Sequence, residues 1–141
     1  MFCKMQIIKF LLILFIVGLL SCKNDQDKRP ATALDTGRTF IDASLKGNFK
    51  DAQALLLNDA ENTQLFEAFT QYYQKMSPEK KQHYQSASYQ INKYADINDS
   101  TTIINYSNDY MNKPMEIKII KRNKDWQIDF KYTYSGNLPI N

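Results

Sequence analysis

The spacing of apolar residues changes once along the chain, and this change constrains the fold more than any other feature of the sequence. From about Leu34 to Ser86, apolar side chains recur every three or four residues, which is the period of a helix. From about Ser88 they alternate with polar ones, which is the period of a strand. Helices followed by a run of strands predict an α+β fold, with N-terminal helices packed on an antiparallel sheet of about four strands.

Four helices are predicted in the first part of the chain. The Thr32 hydroxyl can cap the first one, which ends at Gly47-Asn48 because both residues tolerate a left-handed backbone. Ser77-Pro78 combines a cap with a first-turn proline and opens a polar fourth helix. The predicted ranges are 33–46, 49–57, 63–76 and 78–86.

Four strands are predicted after the helices, with turns at Asn98-Asp99, Asn112-Lys113 and Asn123-Lys124. In the first strand the alternation of apolar and polar residues shifts by one position before Tyr94, which indicates a bulge. The inward positions of the second and third strands are Thr102, Ile104, Tyr106, Tyr110, Met115, Ile117 and Ile119.

The last strand shows the clearest alternation. Its apolar positions are Trp126, Ile128, Phe130, Tyr132 and Tyr134, so one strand is expected through residue 134. Asp129 and Glu116 fall on the opposite parity and are expected to face outward.

The first 21 residues have the features of a lipoprotein signal peptide. Lys4 and Lys9 make a basic start, and residues 10–20 form an uncharged apolar run, about half as long as a membrane-spanning helix. Leu19-Leu20-Ser21-Cys22 then resembles the lipobox of bacterial lipoproteins. This resemblance implies cleavage before Cys22, which would carry the lipid, palmitate included. The predicted organisation is a signal peptide at 1–21, a lipidated cysteine and polar tether at 22–30, and a single α+β domain at 31–141.

The predicted address is the cell envelope, with the chain exported and anchored in the bilayer through acylated Cys22. An Asp directly after the lipidated cysteine resembles an inner-membrane retention signal, but this chain has Lys23 there, so the outer membrane is expected. The sequence does not distinguish its periplasmic face from its outer surface. Cys3 would leave with the signal peptide, so the mature chain would have one cysteine and no internal disulfide.

Charge does not favour nucleic acid as a partner. The chain has 18 basic and 15 acidic residues, and two of the 18 belong to the signal peptide. The mature chain is thus nearly neutral. Its basic residues are interspersed with acidic ones except for Lys118, Lys121, Arg122 and Lys124 around the last hairpin, where a solvated tip or an edge-strand guard is expected rather than a stripe that tracks phosphates.

Two segments resemble a known family: Ser44 to Ala52 between the first helices, and Asn123 to Asp129 in the last hairpin. The family consists of small exported lipoproteins with a nuclear-transport-factor-like (SnoaL-like, cystatin-like) domain, some of unknown function and assigned to a lumazine-binding type. The resemblance implies a cone-shaped fold in which a curved sheet wraps around a helix. It implies little about function, because members use the cone for catalysis, ligand binding or dimerisation.

Few residues are candidates for catalysis. Asp35-Thr36-Gly37 spells the aspartic-protease triplet, but it lies in a predicted helix and has no second copy. His83 is the only histidine, on a polar helix without a recognisable partner. An enzyme of this kind would need a buried acid, for which Asp96 and Asp109 are the candidates. No spacing predicts a metal site or a cofactor.

Aromatic residues concentrate on strand faces and on one helix. The candidate pocket residues are Tyr72, Tyr73, Tyr106, Tyr110, Trp126, Phe130 and Tyr132. Tyrosines in a half-open cone can stack on a flat ligand while their hydroxyls orient it. Aromatic residues in such positions more often pack in a small core. They can also form a sheet surface that binds another protein.

These observations predict a membrane-tethered, non-catalytic binding or accessory domain. Besides the bilayer, its partners would be an envelope protein, a small aromatic ligand or a second copy that pairs through the sheet. The alternative is a cone-fold small-ligand binder or enzyme that uses a buried acid in the pocket. Whether Ser100 is glycosylated stays open.

Overall fold

The computed structural model describes the backbone of residues 29–137 and the side chains of residues 29–133. The predicted signal peptide, Cys22 and the tether up to residue 28 lie outside the described residues. Within residues 29–137 the fold is α+β, with five helices and a four-stranded antiparallel sheet. The helices are α1 (Ala33–Leu45), α2 (Phe49–Ala54), α3 (Ala60–Gln74), α4 (Pro78–Gln85) and α5 (Phe130–Asn137). The strands are β1 (Tyr89–Asn98), β2 (Thr101–Asn108), β3 (Pro114–Arg122) and β4 (Asp125–Asp129).

Side-chain caps set the starts of three helices. Thr32 accepts a hydrogen bond from the Asp35 N–H (3.1 Å) and Ser77 accepts one from Lys80, which confirms the predicted starts of α1 and α4. Asp59 caps α3 in the same way by accepting from the Asn62 N–H (2.8 Å), so this helix begins at Ala60 rather than near residue 63. That hydrogen bond is also the main reason why the pKa of Asp59 lies below its usual value.

The strands form a meander in the order β1-β2-β3-β4, with all neighbouring pairs antiparallel. The register shifts between Ile91 and Lys93, which confirms the bulge predicted before Tyr94. Asn123 and Lys124 both have positive φ angles, 53° and 74°, so the predicted turn between β3 and β4 is a two-residue hairpin loop.

The two edges of the sheet differ. Beside β4, the chain after α2 forms a short parallel bridge in which Leu57 donates to the Ile128 carbonyl and Ile128 donates to that of Leu55, both at 2.8 Å. This pairing ends α2 at Ala54, three residues earlier than predicted. At the other edge β1 pairs only with β2, and no other described strand pairs with its outer side.

The predicted last strand is wrong beyond Asp129, because the chain turns into α5 at Phe130. The Oδ1 atom of buried Asn62 accepts a hydrogen bond from the Lys131 N–H (2.9 Å), which fastens the first turn of α5 to α3. The expectation that Asp129 faces water is also wrong, since only 4% of its surface is exposed. Asp129 Oδ2 lies 3.6 Å from Lys118 Nζ. Helix α5 packs against β3, where the Tyr132 hydroxyl donates a hydrogen bond to Glu116 (3.0 Å).

The core lies between the helices and the inner face of the sheet. Helix α1 approaches β2 and β3 closely at Gly37, where an added Cβ atom would lie 3.2 Å from Ile117 Cδ1 and would overlap Ile104 Cδ1. Beside this contact is a phenylalanine cluster, formed by Phe40, Phe49, Phe66, Phe69 and Phe130, whose neighbouring rings meet mostly edge to face. No helix within residues 29–137 has the length and apolar character needed to span a bilayer.

Candidate ligand pocket

A pocket of about 180 Å³ lies between α1, α3, α4, the ends of β2 and β3 that meet the β2–β3 turn, and that turn itself. Its aromatic wall consists of Phe69, Tyr72, Tyr84, Tyr106 and Tyr110. Three methionines, Met76, Met111 and Met115, also line it, and they are all the methionines that the described residues contain. Methionine side chains are flexible and polarisable, so this part of the wall can adapt to an occupant.

The pocket exists because the residues around it are too small or too polar to fill it. Helix α4 (PEKKQHYQ) sends only Tyr84 into the interior. Ser44 on α1 and Ala68 on α3 occupy wall positions where a larger apolar side chain would close the space. The remaining volume exceeds that of a single water molecule several times over.

The wall carries no charged side chain. Burial raises the pKa of Tyr84, with smaller contributions from Tyr106, Tyr73 and Tyr110, and burial alone raises that of Tyr106. Both phenols therefore stay protonated at every physiological pH. An anion placed in this pocket would lose its hydration without gaining a counter-charge.

Several polar groups of the wall have hydrogen-bonding capacity left over. Asn108 is nearly buried, and its Oδ1 accepts from the Met111 N–H (2.8 Å), which leaves its Nδ2 group without an acceptor among the described residues. The hydroxyls of Tyr84 and Tyr106 likewise have no hydrogen-bond partner within the described part of the chain. Ser44 Oγ is fully buried and has no hydrogen-bond partner among the described residues. A buried polar atom without a partner is rare in native proteins, so Ser44 Oγ is a further group that an occupant of the pocket could satisfy.

Of the seven candidate residues, Tyr72, Tyr106 and Tyr110 line this pocket. Tyr73 points elsewhere, since its hydroxyl accepts from Gln85 Nε2 (2.7 Å) and its ring packs on Phe49. Trp126 lies at the opposite end of the sheet, beneath Lys121 Nζ (5.4 Å from the ring centre). Phe130 belongs to the phenylalanine cluster, and the Tyr132 hydroxyl donates a hydrogen bond to Glu116 on β3.

Some residues that line the pocket were not predicted from the sequence. Asn108 continues the inward parity of β2 after Thr102, Ile104 and Tyr106, and a polar residue at an inward position was the available signal. Ser44 and Ala68 gave no signal, because a small residue on a helix is compatible with any environment.

None of the candidates for catalysis lies in the pocket wall. His83 is exposed, with its ring 5.3 Å from that of Tyr110. Asp96 and Asp109 are both exposed, so neither is the buried acid that the enzyme alternative requires. The Thr102 hydroxyl (2.6 Å) is the main cause that lowers the pKa of Asp96, and Asp109 accepts from the Ser88 N–H (3.2 Å).

The remaining sequence motifs have structural roles. Asp35-Thr36-Gly37 forms the first turns of α1, with Asp35 bonded to Thr32 and Gly37 against the sheet. No group of three or more His, Cys, Asp or Glu side chains within the described residues could hold a metal ion.

Comparison with models of protein families, with curated proteins and with solved structures finds no match to this chain.

Proposed function

We propose that this protein is a lipid-anchored, non-catalytic binding domain of the cell envelope whose pocket takes a small, uncharged, largely apolar molecule. The observation that carries the proposal is the pocket itself, an apolar space of about 180 Å³ without a charged side chain in its wall. An apolar cavity of roughly 150 Å³ is enough to bind benzene in another protein. A ligand built on one ring or a short aliphatic chain is therefore of the right size.

The spare hydrogen-bonding groups define the polar part of the ligand. The Asn108 Nδ2 group can only donate, and the protonated hydroxyls of Tyr84 and Tyr106 can donate as well. A carbonyl oxygen is the acceptor that matches such donors without introducing charge. We therefore assign the pocket to neutral ketones, esters or similar carbonyl compounds rather than to carboxylates.

The cone-shaped, nuclear-transport-factor-like architecture is part of the proposal. It is supported by the packing of α1 against the inner face of a four-stranded meander and by a pocket between that face and the helices. Catalysis has no comparable support, because no Asp, Glu or His belongs to the pocket wall.

A matched series of ligands tests the pocket. Acetophenone is expected to bind about tenfold more tightly than ethylbenzene, because the carbonyl gains hydrogen bonds, and benzoate is expected not to bind. The measurement is NMR of ¹³C-methyl methionine in the full chain held in lipid nanodiscs, since Met76, Met111 and Met115 all face the pocket. The Tyr84→Phe/Tyr106→Phe variant should bind ethylbenzene as before but lose most of the preference for acetophenone.

Two alanine-to-tryptophan variants provide the control. Ala68 is exposed on α3 at the pocket wall, so Ala68→Trp should block both ligands without disturbing the core. Ala54 is also exposed but lies outside the wall, and Ala54→Trp should leave binding unchanged. Binding that survives Ala68→Trp reflects ligand dissolved in the lipid and contradicts the proposal.

The anchor is tested separately. Because Cys22 is expected to be the only acylated residue, Cys22→Ala should abolish incorporation of radiolabelled fatty acid and leave the unprocessed precursor. Cys3→Ala is the matched control and should have no effect. Labelling that persists in the Cys22→Ala variant contradicts the lipoprotein assignment.

A further inference from the structure

Two turns of the sheet lie side by side at one end of the domain. Lys121 N–H donates to the Ser100 carbonyl (2.8 Å), which joins the β1–β2 turn to the beginning of the β3–β4 turn. We call residues 97–101 and 121–124 the hairpin end. It is the end of the sheet remote from the pocket, which borders Tyr106, Asn108 and Met115.

The tether enters the domain at this same end. Arg29, the first described residue, contacts Asp125 of the β3–β4 hairpin through Nη1 and Oδ2 (3.3 Å). Six residues separate Arg29 from Cys22, and this stretch reaches at most about 25 Å when fully extended. A lipid on Cys22 therefore keeps the hairpin end close to the bilayer.

The hairpin end has the chemistry of a membrane-contacting surface. Its two turns expose three basic side chains, Lys121, Arg122 and Lys124, against one carboxylate, that of Asp99. Ile97 is 58% exposed, the highest value among the large hydrophobic residues described, and Tyr94 on the same strand is 42% exposed. Basic residues are attracted to anionic head groups, while exposed apolar and aromatic side chains favour the interface beneath them.

We propose that the hairpin end docks on the anionic surface of the membrane that holds the anchor, with Lys121, Arg122 and Lys124 against the head groups and Ile97 at the interface. The docking rests on the lipidation of Cys22 proposed above. It fixes the orientation of the domain, so that β3 runs from the pocket towards the membrane.

Paramagnetic broadening tests the orientation in the full lipidated chain. In nanodiscs that contain phosphatidylglycerol and a gadolinium-chelating lipid, the amide signals of the hairpin end should broaden most. The methyl signals of Met76, Met111 and Met115 should broaden least, because the pocket lies at the other end. In the Lys121→Gln/Arg122→Gln/Lys124→Gln variant the ratio of docked to undocked protein should fall about fivefold for each charge removed.

The control variant removes the same charge elsewhere. Lys50, Lys75 and Lys80 are exposed on or beside the helices, and their replacement by Gln should leave the gradient of broadening unchanged. Uniform broadening, stronger broadening at the pocket, or a gradient that survives the hairpin-end variant overturns the docking. A chain that does not co-float with the discs overturns the docking and the lipidation together, whereas a chain that co-floats without a gradient overturns the docking alone.

Discussion

Replacing Phe66 with alanine is expected to lower the free energy of unfolding by about 3 to 5 kcal/mol. Phe66 is 1% exposed and contacts four other members of the phenylalanine cluster, with the ring of Phe130 nearest at 5.1 Å. Its removal would leave a cavity at the junction of α1, α2, α3 and α5, because rigid aromatic neighbours cannot close the space. Urea denaturation of the full chain, followed by the fluorescence of Trp126, measures the loss.

The control for this variant is Tyr94→Ala. Tyr94 is also a large aromatic residue, but it lies on the open edge strand and 42% of its surface is exposed. Its truncation should cost less than about 1 kcal/mol. If Phe66→Ala also costs less than about 1 kcal/mol, the phenylalanine cluster does not stabilise the domain.

Asn62→Ala is expected to lower the free energy of unfolding by about 2 to 4 kcal/mol, because it removes a buried side chain that makes two hydrogen bonds. The side chain is completely buried, donates to Asp59 Oδ2 (2.8 Å) and accepts from the Lys131 N–H (2.9 Å). The variant leaves the Lys131 N–H without its acceptor and weakens the cap of α3. Urea denaturation measures the total, and hydrogen exchange should show α5 opening before the rest of the domain.

Asn92→Ala is the matched control. Asn92 also makes two side-chain hydrogen bonds, to Asn105 (2.9 Å) and Ser107 (3.2 Å), but it is exposed and water can replace both. We expect a loss below about 1 kcal/mol for this variant. If both asparagine variants lose the same amount, the Asn62 hydrogen bonds do not hold α5 in place.

The features that the sequence predicted correctly are those that depend on neighbouring residues. Thr32 and Ser77 cap helices a few residues away, and Asn123-Lys124 forms a turn through its own backbone angles. The alternation of Thr102, Ile104 and Tyr106 likewise gave the inner face of β2 directly. In each case the physical cause lies within a few positions of the residue concerned, so the local pattern was sufficient.

The features that the sequence missed depend on distant partners. Phe130, Tyr132 and Tyr134 alternate as a strand does, yet the hydrogen bond that starts α5 comes from Asn62, 69 positions away. The same limit applied to the pocket, because Tyr72 on α3 and Tyr106 on β2 come to line one space only in the folded domain. Alternation could not distinguish Trp126, at the far end of that sheet, from residues that line the pocket.

The placement of Arg29 also has a consequence for how a ligand would arrive. Arg29 contacts Asp125 of the β3–β4 hairpin, whereas the pocket borders Met115 at the start of β3, about 20 Å farther along the strand at 3.3 Å per residue. With the anchoring and docking proposed above, a molecule dissolved in the bilayer would have to leave it before reaching the pocket. A domain held in this way would take its ligand from the aqueous space beside the membrane, or from another protein there, and loading would not require release of the anchored end.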